Sequence, residues 1–366
     1  MTKTMRYILA CVMSLFVAAG CDVHEFPEYN GDPVPFTLHI NFDTEMPLYK
    51  EVIYTRDGET TKAPHESHDI RYLIGAYRVN GSREENRVAD TVLLFTRPDN
   101  TDLNHTVRFE LPEGLYDFRV WCDYVDAGRT ADKYYNTSDF TEIILLNRNN
   151  HEGSNDYRDA FRGTVRGEIV DPQFYRGPIA STFKNEATVE MRRPMGKYRF
   201  ISTDVELFLD RLVLELKEAG KLNTPAGQPE PSLEELKERI DIGDFKVVLR
   251  YNLFMPCSYN MFTDKPADSW TGMSFTSPMY RLNKTEMLLG YDYIFVNGTE
   301  TTLSISVEVY DKDDTLMSKS NPVNVPVKRS MLTDVRGEFL TSKATGGVAI
   351  NPGFDGDDYN VPVVFP

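Results

Sequence analysis

Phe109-Glu-Leu-Pro-Glu-Gly-Leu-Tyr-Asp-Phe118 is the stretch whose reading decides the fold class. A polar-apolar alternation runs up to Leu111, a Pro-Glu-Gly turn follows, and the alternation resumes. Beyond it Tyr116, Phe118, Val120 and Cys122 alternate with Asp117, Arg119, Trp121 and Asp123. A period of two with β-branched and aromatic residues is the pattern of a half-buried strand. Pro112-Glu-Gly114 is turn chemistry, so the segment predicts a strand–turn–strand hairpin. The same alternation opens the body of the chain. Phe36, Leu38, Ile40 and Phe42 share one side, and Thr37, His39 and Asn41 share the other.

Working outward, short alternating or apolar runs predict strands near 70–79, 90–95, 106–111, 142–146, 163–170, 187–191 and 197–202, then near 245–252, 293–296, 302–310, 323–327, 335–340 and 361–365. Arg56-Asp57-Gly58 reads as a turn in a polar stretch. Helix is predicted in one place. Val205, Phe208, Leu209, Leu212 and Leu216 follow a helical period, with Asp204 as N-cap and Gly220 as stop. Ser232-Leu-Glu-Glu235 is a capping box opening a second short helix to Ile240. Many short strands with one helical insertion, about 204–240, predict a mainly β protein built from β-sandwiches. The 21 Phe and 20 Tyr suit that class.

The first 21 residues have a different layout. Lys3 and Arg6 precede an apolar run, Tyr7 to Ala19, too short to span a membrane, and Ala18-Ala19-Gly20-Cys21 follows. Small residues before a cysteine resemble a bacterial lipobox. The reading is a lipoprotein signal over 1–20 with lipidation at Cys21; an ordinary cleaved signal is the alternative. Residues 21–35, rich in proline and acid, form an extended tether. Net charge is −16, and −18 once Lys3 and Arg6 are removed. Such an acidic chain argues against nucleic acid or anionic lipid as partner. The membrane link would be the acyl chains, two or three of which hold firmly. Cys122 and Cys257 remain; buried free thiols are the leading reading and a disulfide the alternative.

No nucleophile elbow, P-loop, HExxH or dinucleotide fingerprint is present, and the chain reads as non-enzymatic with no cofactor and no metal site. His65 and His68 sit in a polar loop and read as solvated. Asp311-Lys-Asp-Asp314 and Asp355-Gly-Asp-Asp-Tyr-Asn360 read as turns rather than calcium loops, the second having Pro366 where a ligand glutamate belongs. Trp121 and Trp270 could form a sugar-stacking face, but core packing is the default for Trp121 on a strand.

Lipobox, tether, a first β domain, the junction Met191-Arg-Arg-Pro-Met-Gly-Lys-Tyr-Arg-Phe200, and a second β domain closing with Asn324-Val-Pro-Val-Lys-Arg-Ser-Met-Leu-Thr-Asp-Val-Arg-Gly-Glu-Phe339 together resemble the fimbrillin-type lipoproteins, the subunits and anchors of lipoprotein-derived pili. The nearest branch is the group labelled DUF6562. The junction departs from the common pattern in carrying Pro194-Met195-Gly196, and the helical insertion is a second departure. The resemblance implies two tandem transthyretin-like sandwiches, 36–195 and 196–366. It also implies assembly by strand exchange: an Arg-specific protease removes the N-terminal segment with its first strand, and a neighbouring subunit's strand fills the groove. Here the exchanged strand would be Phe36, Leu38, Ile40 and Phe42, the processing site Arg56, and the donor strand Val361, Val363 and Phe365. Arg56 as an ordinary surface residue, and the tail as the second domain's own last strand, stay open. The implied partners are the outer membrane through the lipid anchor and other fimbrillin-like subunits. The implied location is the outer membrane, surface-exposed, with Asp22, Glu25 and Glu28 resembling export signals of that bacterial group. The alternative is a monomeric surface lipoprotein that binds glycan or a host protein.

Overall fold

The computed structural model describes residues 32–42, 51–55, 58–62, 68–79, 87–95, 103–172, 182–221, 229–342, 348–353 and 361–362. The chain is mainly β. Its first strands are β1 (Val34–Phe42), β2 (Glu51–Thr55), β3 (Gly58–Lys62), β4 (His68–Arg78), β5 (Arg87–Phe95) and β6 (His105–Leu111). They are followed by β7 (Gly114–Asp126), β8 (Tyr135–Asn136), β9 (Ile143–Leu145), β10 (Phe161–Ile169) and β11 (Glu186–Met191). Then come β12 (Met195–Ser202), the helices α1 (Val205–Glu218) and α2 (Leu233–Glu238), and β13 (Lys246–Tyr251). A run of short strands covers β14 (Phe254–Pro256), β15 (Ser258–Asn260), β16 (Lys265–Pro266), β17 (Ser269–Thr271), β18 (Ser274–Pro278) and β19 (Tyr280–Arg281). The chain continues with β20 (Met287–Phe295), β21 (Glu300–Tyr310), β22 (Leu316–Lys319), β23 (Val323–Lys328), β24 (Leu332–Gly337), β25 (Val348–Gly353) and β26 (Val361–Pro362).

A three-stranded sheet, β11-β1-β6, packs on a four-stranded sheet, β10-β7-β4-β5. Phe36 of the first stacks on Phe118 of the second with ring centroids 4.6 Å apart, and Phe42 meets Tyr72 and Phe161 edge-on. A second pair of sheets follows: β19-β20-β12-β24-β25-β26, and β18-β13-β21-β22 with β23 also on β21. Here Leu249 packs over Gly290, and the Tyr198 and Tyr251 hydroxyls meet at 2.7 Å. Gly196 explains the unusual junction. A Cβ there would run into the Lys328 carbonyl oxygen, so only glycine lets β12 pass the end of β23.

The hairpin expected at 109–118 is corrected by this topology. β6 and β7 belong to different sheets, and Pro112-Glu-Gly114 carries the chain from one to the other. Phe109 and Phe118 therefore meet across the core, centroids 5.6 Å apart, rather than side by side on one face. The Tyr116 hydroxyl donates to the Pro112 carbonyl at 2.9 Å and pins that corner.

The helical insertion forms as its sequence predicts, with one change. Val205, Phe208, Leu209, Leu212 and Val213 are buried. Gly220, at φ 69°, ends α1; its N–H bonds Lys217 and that of Lys221 bonds Leu216, a Schellman closure. Asp204 does not cap with its side chain. Its carboxylate accepts from the Ser202 and Thr341 hydroxyls and the Thr341 N–H, tying the helix start to the segment after β24. Ser232 and Glu235 make the expected capping box. Lys237, nearly buried, reaches Glu206, Asp210 and Glu234 and clamps α2 to α1.

Candidate strand-exchange groove

β1 is held on both sides. It runs parallel to β11, with Leu38 opposite Ala187 and Ile40 opposite Val189. It runs antiparallel to β6, with Phe36 opposite Phe109 and Leu38 opposite Val107. The alternation works as the sequence predicts: Phe36 is 1% exposed, Leu38 and Ile40 0%, and Phe42 is half-buried. Thr37, His39 and Asn41 face the other way and are half-exposed. The outer face carries polar contacts. His39 Nδ1 lies 3.2 Å from Thr106 Oγ1, and the Phe42 N–H donates to Asn104 Oδ1 at 2.9 Å.

Two glycines on β10 shape the floor. A Cβ on Gly167 would sit 2.7 Å from Phe36 Cζ and 3.0 Å from Phe118 Cε2. A Cβ on Gly163 would sit 2.5 Å from Val189 Cγ2 and 2.8 Å from the Met191 sulfur. Lifting β1 out would open a slot between β6 and β11 with pockets for Phe36, Leu38 and Ile40. It would also leave two rows of backbone groups without partners. Each such buried side chain contributes roughly 1.5–3 kcal/mol.

The other predicted site residues fall as follows. Cys21, Arg56, Val363 and Phe365 lie outside the described residues. β2 and β3, before and after Arg56 in sequence, pair with Thr55 opposite Gly58. Val361 pairs Ile350, which places β26 on the outer edge of its own chain's sheet, where Pro362 is tolerated. Cys122 and Cys257 are free and buried; burial pushes both thiols up, Cys257 to about 12. Trp121 is fully buried, set edge-on to Tyr135, and Trp270 is nearly so beneath Arg148, so neither presents a stacking face. His68 stacks on Tyr157 with centroids 3.6 Å apart and is packed rather than solvated; His65 lies outside the described residues. Asp311 Oδ1 accepts from the N–H groups of Asp313 and Thr315, a turn serving its own backbone; 355–360 lie outside. Among the described residues no helix is long and apolar enough to cross a membrane.

One cluster was not predicted. The segment between β9 and β10 enters the second pair of sheets and buries charge there. Asp292 of β20 accepts from His151 Nε2 at 2.7 Å and from the Tyr251 hydroxyl at 2.6 Å, and pairs with Arg158. Burial pushes the Asp292 carboxyl up, but Arg158 and His151, with the Tyr251 bond, outweigh it and hold the group below the usual carboxylate range. Asp156 accepts from the Tyr291 and Tyr293 hydroxyls and pairs with Lys197. Arg193 grips Asp159 through Nε at 3.0 and 2.9 Å. The Asp292 and Asp156 clusters fasten the two pairs of sheets together. No local period announces them, since the Arg158–Asp292 partners are 134 residues apart.

A sequence search of curated proteins found no match. Solved structures give shallow likenesses. The fimbrial anchor protein Mfa2 of Porphyromonas gingivalis aligns at 11% identity and TM-score 0.40, over 90% of this chain and 100% of that one. A fimbrial assembly protein of Parabacteroides distasonis aligns at 9% identity and TM-score 0.37, over 90% and 99%. The sequence itself is decisive: the model for the family of unknown function DUF6562 matches residues 33–364, and the chain belongs to that family.

Proposed function

We propose that the chain is a fimbrillin-like surface lipoprotein, tethered to the outer membrane through Cys21 and joined to other fimbrillin-like subunits by β-strand exchange, as pilus subunit or anchor. The division into sandwiches at 36–195 and 196–366 is part of this reading. The observation that carries it is the setting of β1: an N-terminal strand seated between β11 and β6, its apolar side chains filling a slot in the sandwich. A strand in that place can be exchanged for another of the same alternation without rebuilding the rest of the sheet. Arg56, which follows it in sequence, is where a cut would release tether and strand together. The non-enzymatic reading rests on the sequence, which carries no catalytic motif.

The pairing of β26 within its own sheet favours a second reading, in which the chain keeps all its strands as a monomeric surface lipoprotein that binds glycan or a host protein. Sequencing the N-terminus of surface-extracted protein tests the polymerising version. A mature chain starting at residue 57, blocked by Arg56→Ala, is expected of a polymerising subunit. A chain that always starts at acylated Cys21 rules that version out. Release of the protein from the membrane by Cys21→Ser tests the anchor.

A further inference from the structure

Between the segment that joins β9 to β10 and the strand β18 lies a cleft of about 500 Å³. Asn149, Asn150, Glu152 and Asn155 line one side of it, and Ser274 and Thr276 the other. The loop that carries the first four is propped from beneath by buried charge. His151 and Arg158 turn inward to Asp292, and Arg158 Nη1 also donates to the Glu152 carbonyl at 3.0 Å. Gly153 presses on Phe275, where a Cβ would run into the ring. Ser154 takes φ 51°, in the left-handed region that a residue with a Cβ rarely adopts. Its N–H donates to the Tyr291 carbonyl at 2.7 Å, and its hydroxyl accepts from the Tyr291 N–H at 3.2 Å and meets the Ser277 hydroxyl at 2.8 Å. The upper surface is the opposite case. Within the chain, no hydrogen bond to another described residue engages the side chains of Asn149, Asn150, Ser274 or Thr276. Unpartnered polar groups on a rigidly supported loop are the arrangement of a preorganised binding site. Strain held in place by its surroundings points the same way.

We propose that this cleft binds a neutral sugar residue of a glycan. Its amides and hydroxyls both donate and accept, which matches the vicinal hydroxyls of a sugar. Glu152 is the one carboxylate among the lining residues, and its Oε2 accepts from Asn155 Nδ2 at 3.4 Å, which aims it. No lysine or arginine is among those residues, so nothing there would offset an anionic group, and a chain of charge −16 opposes one. An apolar ligand finds no wall to pack on, since Phe275 is buried beneath Gly153. The volume falls in the range of about 300–1,000 Å³ usual for small-ligand sites. The proposal rests on the glycan-binding part of the second reading and gives it a place. It does not require a monomer, because β18 and β1 belong to different sheets.

The test is an array of neutral, sialylated and sulfated oligosaccharides probed with the full chain in detergent. Binding to neutral members is expected. The strongest neutral oligosaccharide is then titrated calorimetrically into the wild type and into Asn150→Ala, Glu152→Gln and Thr276→Ala. Each substitution should weaken binding about tenfold, with circular dichroism unchanged. The same oligosaccharide should slow backbone hydrogen exchange at 149–155 and 274–276. A wild type that binds no glycan overturns both the proposal and the glycan part of the second reading. Preference for sialylated or sulfated members overturns the proposed ligand class. Binding that survives all three substitutions overturns this site alone and leaves the glycan reading standing.

Discussion

At the scale of the residue, glycines set how closely the layers approach. Phe36 can lie flat on Phe118, planes 6° apart, because Gly167 presents no Cβ beneath them. Gly167→Ala should cost about 1–3 kcal/mol by overpacking. Gly196→Ala should cost more, since the atom in its way is the Lys328 carbonyl rather than a ring that can tilt. Urea denaturation of the two variants checks the order; Gly167→Ala as the worse of the pair would show that the sandwich core, not the junction, is the tighter fit. Gly196 of the junction is thereby a packing requirement at the point where β12 meets β23.

At the scale of the element, β1 behaves as its alternation says, and the energetics should follow that period. Leu38→Ala and Ile40→Ala should each lose about 2–5 kcal/mol, while Thr37→Ala, on the opposite face, should change stability by less than about 0.5 kcal/mol. Equal effects at all three positions in a denaturation series would mean the strand is not seated face-inward. The period was legible here because one face of β1 meets water. In β7 it was misleading. Arg119 and Asp123 fall on the polar side of the alternation, yet residues from far along the chain cover them: Arg119 Nη1 bonds the Met261 carbonyl at 2.8 Å, and Arg71 grips Asp123 at 2.9 and 2.6 Å. The supposed hairpin at 109–118 failed for a related reason. A Pro-Glu-Gly turn looks the same in sequence whether it returns the chain along one sheet or throws it across to the other. The strands within 254–281 went unread because two to five residues carry too little period to recognise.

At the scale of the whole molecule, one apolar core runs from Val34 to Leu340, and buried charge crosses between the two sheet pairs. Asp292 at that crossing and Glu308 within the second sheet pair make stability depend on pH. Asp292 and Glu308 are both held below their ordinary carboxyl values, so folding favours their ionised forms. Glu308 is pushed up by burial but drawn down to about 2 by Arg250, Lys319 and Tyr310. Its contribution is complete above its ordinary value of 4.5 and is lost as pH falls from there toward about 2. Melting temperature should therefore drop across that acid range, and drop less in Glu308→Gln. Asp292 should govern cooperativity as well. With Arg158, His151 and Tyr251 converging on it, Asp292→Asn strands a buried guanidinium, a loss of about 3–5 kcal/mol. Because Arg158 comes from the first sheet pair's connection and Asp292 from the second pair, that loss falls on their mutual hold more than on either sandwich. Calorimetry of the wild type should show one transition. Asp292→Asn should split it into two, the first at lower temperature, whereas Asp311→Asn, in an exposed turn, should leave a single peak. A wild type that already melts in two steps would mean the shared core and these ion pairs do not couple the halves.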